Sequence, residues 1–276
     1  MKIAAVVIWF NPKEEFVENI STFCKFVDRT IIVDNSTNDN SNLVPARPDI
    51  EYIPLNKNIG IAAALNLGCE RASQLAVEWV LTMDQDSWFN EEAIRSYLDP
   101  SAPHFKERGV AIFSPSIREI AYEGLEGLTE CKSAITSGSL VRLAAFLAIG
   151  GFNEQLFIDQ VDHELCFRLL RMGYRIVRVN RILLNHSLGD PITRKIFGRR
   201  VTSWNHSYLR KYYMTRNRLF MRQAYPEIRR GYLKMIIIDA IKVLLVEEEK
   251  MKKLRHMFLG WRDFAFGRMG RFNDRS

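Results

Sequence analysis

Apolar and polar positions along the first third of the chain fall into blocks whose lengths separate strands from helices. Residues 3–9 form an unbroken apolar run, the pattern of a strand buried on both faces. Between residues 12 and 27 the apolar side chains Phe16, Ile20, Phe23 and Val27 recur at helical spacing and predict an amphipathic helix. Residues 30–33 make a second short strand, which stops at a polar loop over residues 34–42. Residues 51–55 predict a third strand, 60–76 an alanine-rich helix, and 78–83 a fourth strand that ends at Asp84-Gln85-Asp86. Alternating strands and helices with short connections predict an α/β layer with a mostly parallel central sheet. Such sheets bind ligands at the carboxyl ends of their strands. Asp34-Asn35 and Asp84-Gln85-Asp86 both lie at strand ends and are expected to face one crevice.

Beyond residue 110 the pattern is mixed. Strands are predicted at 110–115, 134–140, 175–179 and 182–184, with a turn at Gly150-Gly151-Phe152. A helix is predicted at 162–172, closed by Gly173 as a C-terminal cap. From Tyr208 onward the chain reads as helical and basic. The expected organisation is a main domain over residues 1–220, split into a nucleotide-binding half (1–110) and an acceptor half (111–220). A basic helical extension over 221–276 follows.

Composition narrows this picture. The chain has 276 residues, 47% of them hydrophobic, enough for a sizeable core. No apolar run reaches the roughly 18 residues of a membrane span. The longest stretch, residues 235–246, is interrupted by Asp239 and Lys242. The short opening strand leads into Asn11-Pro12-Lys13-Glu14 and does not resemble a secretory signal, so a cytoplasmic location is expected. Cys24, Cys69, Cys131 and Cys166 are widely spaced and predict buried reduced thiols rather than a zinc site or disulfides. The net charge of +7 hides an asymmetry: residues 1–193 carry 18 basic and 25 acidic side chains, residues 194–276 carry 21 and 7. A basic tail of this kind calls for an anionic partner.

Several residues carry candidate chemistry. In an extended chain alternate side chains share a face, so Asp84 and Asp86 can address one divalent cation and its phosphates, with oxygen ligands suited to Mg²⁺ or Mn²⁺. A solvated turn is the plainer reading of the same tripeptide. Asp34 either caps its loop or accepts a pyrimidine N–H. The small residues from Asn58 and Gly60 to Gly68 permit close helix–sheet packing, or phosphate at a helix N-terminus. Asp162, in the first helical turn, is a candidate base or a dipole-complementing acid. Glu164 and Arg168, four apart, are expected to pair. His186 can complete a metal shell, and Arg216 can meet a diphosphate bidentately. The turn after the first strand lacks the glycines of a dinucleotide site.

Taken in order, Val33-Asp34-Asn35-Ser36, Asn58-Ile59-Gly60, Asp84-Gln85-Asp86, Thr136-Ser137-Gly138-Ser139, Gly150-Gly151-Phe152, Phe157-Ile158-Asp159-Gln160-Val161-Asp162, Asn185-His186-Ser187-Leu188-Gly189 and Tyr212-Tyr213-x-x-Arg216-Asn217 resemble family-two glycosyltransferases of the GT-A fold. The last two motifs point to the bacterial rhamnosyltransferase-like branch. The resemblance implies a metal-dependent inverting transfer of a sugar, rhamnose from deoxythymidine-diphosphate rhamnose as first choice, to a glycan or lipid-linked acceptor in cell-surface polysaccharide synthesis. It implies that Phe10, Asn11, Asp34, Asn58, Gly60, Asp84 and Arg216 bind the nucleotide sugar, and that Ser137, Gly138 and Asp159 meet sugar or acceptor. Asp84, Asp86 and His186 would hold the metal, and Asp162 would be the catalytic base. Relatives often have Glu-Asp where this chain has Val161-Asp162, which leaves Asp159 as a competitor.

In the tail, Met251, Leu254, Phe258 and Trp261 recur at helical spacing among Lys250, Lys252, Lys253, Arg255 and Arg262. Such a helix lies on an anionic membrane, here the inner face of the plasma membrane, or packs its stripe on the domain or on a second copy in a homodimer. The alternatives of a different class are a basic nucleic-acid- or membrane-binding protein without transferase activity, and a sugar nucleotidyltransferase. The first leaves the acidic front unexplained, and the second calls for a glycine-rich basic loop after the first strand.

Overall fold

The computed structural model describes residues 1–118, 126–186, 191–196 and 198–272. The chain divides into two compact units, residues 1–153 with 162–187, and residues 154–161 with 188–276. The boundary expected at residue 220 falls inside a helix of the second unit.

The first unit is built on one mixed sheet. Its parallel part uses β1 (Ile3–Trp9), β2 (Arg29–Asp34), β3 (Ile50–Pro54) and β4 (Trp79–Asp84) in the order β3-β2-β1-β4. Every side chain of β1 is buried, as a strand covered on both faces requires. Register places Trp9 beside Asp34 and Ile8 beside Asp84, so three strand ends converge. The predicted helix at 12–27 is shorter, α1 (Glu15–Ser21) followed by a single tight turn at Cys24–Phe26. Ile20 and Phe23 still enter the core. Helix α2 (Ile61–Ser73) crosses back over the sheet. A Cβ on Gly68 would come within 2.4 Å of Val6 Cγ1 and 3.3 Å of Val33 Cγ2, so the small-residue run packs helix against strands.

The second half of the sheet mixes directions. β5 (Ser87–Phe89), β6 (Val110–Ile117), β7 (Leu128–Glu130), β8 (Ser139–Arg142) and β9 (Arg175–His186) join it, with β8 antiparallel to β4 and β6 parallel to β9. The two strands expected at 175–184 are thus one long β9, and the strand expected at 134–140 begins only at Ser139, because residues 136–138 turn toward β4. Helices α3 (Glu91–Leu98), α4 (Leu143–Ala148) and α5 (Val161–Arg171) complete the layer, and Gly173 caps α5 at φ 82°. Cys24, Cys69 and Cys166 are buried and unpaired, and burial pushes the Cys69 and Cys166 thiols up to about 12.

The second unit holds the hairpin β10 (Ile192–Ile196) and β11 (Arg199–Ser203) with helices α6 (Tyr208–Ala224), α7 (Arg229–Leu245) and α8 (Lys250–Ala265). Its centre is polar. Lys211 of α6 lies 2.8 Å from Glu247 and 3.3 Å from Asp239, Arg218 lies 2.6 Å from Asp239, and Lys253 lies 2.9 Å from Glu247. Backbones of α6 and α8 touch where α8 has glycine: a Cβ on Gly260 would sit 2.5 Å from the Tyr212 carbonyl oxygen. Among the described residues no helix is long and apolar enough to cross a membrane.

Burial opposes ionisation of Glu247, yet the hydrogen bonds from Lys211, Ser203 and Lys253 outweigh it and hold its carboxyl below the usual range. A depressed folded value means that this stabilisation is complete above the unfolded value, near 4.5, and is lost as pH falls through the folded one. Glu247→Gln leaves two buried ammonium groups short of a counter-charge. Thermal melting followed by circular dichroism is expected to show a loss of about 3 kcal/mol at neutral pH. That difference from wild type shrinks as acid protonates Glu247.

Candidate active site

The site is assembled at the carboxyl ends of β2, β1 and β4. Asp34 ends β2 and is only 1% exposed. Its Oδ1 accepts from the Ser36 backbone N–H at 3.0 Å, and its Oδ2 accepts from Asn40 Nδ2 and from the Tyr52 hydroxyl, each at 2.8 Å. Burial and the Asp34 carboxylate push the Tyr52 hydroxyl up, keeping it protonated as the donor. The structure gives Asp34 partners in its own loop and in β3, as the capping reading expects. Ser36, positioned by that loop, accepts from the Asn11 N–H at 2.7 Å. Phe10 beside it is 46% exposed, an open aromatic face at the end of β1.

Asn58 and Gly60 serve the same rim. Asn35 Oδ1 accepts from the Ile59 N–H at 2.8 Å, and Asn58 Oδ1 accepts from the Gly60 N–H at 2.9 Å and from Asn35 Nδ2 at 3.2 Å. Gly60 precedes α2 at φ 90° and ψ 155°, a conformation that side chains disfavour.

The acidic turn after β4 is tied down on two sides. Gln85, the middle residue, accepts from the Phe10 N–H at 2.9 Å through Oε1 and donates to the Phe10 carbonyl at 3.2 Å through Nε2. Asn19 donates to the Gln85 carbonyl at 2.9 Å. Ser137 Oγ accepts from the Asp84 N–H at 3.2 Å. The 136–139 turn is itself pinned to β4, with the Thr82 hydroxyl on the Thr136 carbonyl at 2.5 Å and the Gly138 N–H on the Thr82 carbonyl at 2.8 Å. At φ 75° and with a Cβ position 2.7 Å from Pro115 Cγ, residue 138 admits only glycine.

Immediately past the turn, β5 pairs antiparallel with the end of β9, which sets Ser87 opposite His186. Ligand atoms of Asp84, Asp86 and His186 consequently lie within 4.8 Å of one another. Two carboxylates and an imidazole are a donor set that fits Mg²⁺ or Mn²⁺. Ser87 Oγ is 2.7 Å from His186 Nδ1, which also lies 3.6 Å from Asp86 Oδ1, so Ser87 fixes the ring against the acidic turn. Residues 187–190 of the expected His186 motif lie outside the described residues.

Asp162 occupies the first turn of α5 and is half-buried. One oxygen accepts from the His163 N–H at 2.8 Å; the other has no protein donor among the described residues. A small void of about 10 Å³ beside it is lined by Thr82, Thr136 and Ser139 together with core side chains such as Ile112, Val141 and Leu165. Glu164 and Arg168 pair as the sequence predicts, at 2.7 Å, and Arg168 also donates to the carbonyls of Ile149 and Gly151, fixing the glycine turn.

One expectation changes in the second unit. Arg216 is fully buried, and its guanidinium donates to the carbonyls of Gln155, Leu156 and Gly270 and to Asn217 Oδ1. It has no exposed donor for a diphosphate. Its task, with Asn217 donating to the carbonyls of Leu156, Ile158 and Asp159, is to hold a loop in which Phe157, Asp159 and Gln160 all have positive φ. Asp159 faces Arg210 at 3.4 Å.

Nothing in the sequence gives Gln85, Ser87 or Asn35 a positioning role, which the structure shows. They are uncharged residues whose only sequence signal is adjacency to the acids they position.

Comparison with known proteins finds a family and a fold. The family model described as "Glycosyl transferase family 2" matches residues 5–125. A protein of Shigella flexneri described as dTDP-rhamnosyl transferase RfbF is 31% identical over 277 residues, covering 92% of this chain and 91% of that one. Among solved structures, Staphylococcus aureus TarS 1–349 in complex with UDP-GlcNAc superposes with a TM-score of 0.51 at 16% identity, over 96% of this chain and 73% of that one. GalNAc-T7 with UDP, GalNAc and Mn²⁺ gives 0.55 at 11% identity over 67% of this chain, which spans 44% of its length.

Two outcomes test these assignments. Ser87→Ala frees the His186 ring and is expected to weaken Mn²⁺ binding about tenfold in titration calorimetry while leaving the melting temperature near wild type. Arg216→Lys is expected to cost about 2 kcal/mol in denaturant unfolding, since an ammonium cannot serve all the carbonyls at once. Donor affinity is expected to stay unchanged.

Proposed function

The chain belongs to glycosyl transferase family 2, has the GT-A fold and acts as a glycosyltransferase on a nucleotide sugar; from that premise we propose that it transfers a single sugar with inversion, using Asp162 as base and a divalent cation at Asp84, Asp86 and His186. The family sets aside the alternatives of a non-enzymatic binder and of a sugar nucleotidyltransferase.

The observation that carries this reading is the 136–139 turn. Its Ser137 supports the acidic turn, while Thr136 and Ser139 border the same small void as Asp162. One rigid piece of backbone thus connects the carboxylates suited to the leaving group with the carboxylate suited to the nucleophile. The donor nucleotide would lie across the ends of β2, β1 and β4, with Phe10 against the base and Asn11, Asn58 and Gly60 shaping the rim. A cation held by Asp84, Asp86 and His186 would neutralise charge on the departing diphosphate. Asp162, whose second oxygen has no protein donor among the described residues, takes the proton of an acceptor hydroxyl as the hydroxyl oxygen bonds to the anomeric carbon. The bond from that carbon to the diphosphate oxygen breaks, its electron pair leaves with the diphosphate, and the anomeric centre inverts. Ser137 and Gly138 border the sugar.

Rhamnose from its deoxythymidine-diphosphate donor is the preferred substrate, on the likeness to the Shigella flexneri protein over most of both chains. The acceptor is a hydroxyl of a glycan or lipid-linked glycan, and the product belongs to cell-surface polysaccharide.

Asp162→Asn preserves shape and removes the base. Transfer is expected to fall about 10²–10⁴-fold, while the thermal shift given by donor with Mn²⁺ is retained. Near-normal turnover in that variant removes Asp162 from the role.

A further inference from the structure

Helices α7 and α8 are inverted relative to an ordinary surface helix, which buries its apolar stripe and turns its charges to water. On α7 the single acid, Asp239, faces inward to Lys211 and Arg218, together with the buried Tyr232 and Val243. Outward stand Leu233, Ile237, Ile238, Ile241, Leu244 and Leu245, each between 40% and 51% exposed. At about 100° per residue these six cover an arc of roughly 140°. On α8 Met251, Phe258 and Trp261 share one face, Met251 being 80% exposed and the two aromatic rings stacked at 5.5 Å. Of the stripe seen in the tail sequence, Leu254 is half-buried and the other three side chains face solvent.

Charge identifies what covers these faces. Arg230 and Lys234 fall within the outward arc of α7, and Arg255 and Arg262 flank the outward line of α8. Neither helix presents an acid outward: Asp263, the one acid of α8, bonds Tyr212 and Arg262. Among the described residues, the exposed acids Glu227, Glu248 and Glu249 sit beside the helix ends, and Glu249 pairs with Lys252 at 3.2 Å. A second copy docked on the same faces by twofold symmetry would set cations against cations. A lipid surface bearing anionic headgroups complements both the apolar arc and its cations.

We propose that the outward faces of α7 and α8 seat this protein on an anionic membrane surface, with their aliphatic and aromatic side chains entering the boundary between headgroups and acyl chains. This stands independently of the catalytic assignments.

The test uses the full chain in co-sedimentation with vesicles of phosphatidylcholine alone or mixed with phosphatidylglycerol. Binding to the mixed vesicles is expected to be at least about tenfold tighter and to weaken with added salt. The double variants Ile237→Glu/Ile241→Glu and Phe258→Glu/Trp261→Glu are expected to lower that binding about tenfold or more, with melting temperatures kept, because the altered positions face solvent. Equal partition of wild type and both variants overturns the proposal. So does a wild type that ignores both kinds of vesicle, or a dimer in sedimentation velocity that the same substitutions dissociate without any vesicle binding.

Discussion

The register of three parallel strands is the constraint on which the rest of the site depends. With Trp9 beside Asp34 and Ile8 beside Asp84, the polar residues that follow β2, β1 and β4 emerge at one level. A slip of one residue would turn every side chain of β1 to the opposite face and withdraw one acidic strand end from the others. Complete burial of β1 and the close seating of Gly68 against Val6 and Val33 forbid that slip. The core thereby fixes where the chemistry sits before any polar contact is made.

Polar contacts then convert strand ends into a shaped surface. Most belong to uncharged side chains. Gln85 pairs with both backbone groups of Phe10, Ser137 takes the Asp84 N–H, Ser87 orients His186, and Asn35 and Asn58 lock the entrance to α2. Asp34 is buried and spends its carboxylate on the loop that carries Ser36 and Asn40. The acids that remain at the surface, Asp84, Asp86 and Asp162, are half-buried. That division of labour suits phosphate and sugar chemistry, in which preorganised donors and carboxylates must not move when charge develops.

Some of this was legible in the sequence because its signals are local. Apolar runs marked β1 to β4, helical spacing marked α2 and α5, and the tripeptide Asp84-Gln85-Asp86 stood out at a strand end. The sheet's second half was less legible, since β5, β7 and β8 are three or four residues long and are defined by partners far along the chain. His186 reaches Asp86 only through the pairing of β5 with β9, a contact between residues almost a hundred apart. Arg216 misled for the opposite reason. A guanidinium in a polar helix reads as a surface ligand for phosphate, and nothing nearby in sequence shows the carbonyls of residues 155, 156 and 270 that consume its donors. The same inversion runs through the second unit, where charges lie inside and isoleucines outside.

The account's central claim is that the turn at Asp84 to Asp86, supported by Gln85 and Ser137 and joined by His186, is where a cation and the donor diphosphate meet. Crystals grown with Mn²⁺ and a nucleoside diphosphate, measured at the manganese absorption edge, test it most directly. The account predicts one anomalous peak within coordinating distance of Asp86 and His186, with diphosphate oxygens on the same ion. A nucleotide whose diphosphate lies away from that turn, or manganese bound elsewhere, would contradict it.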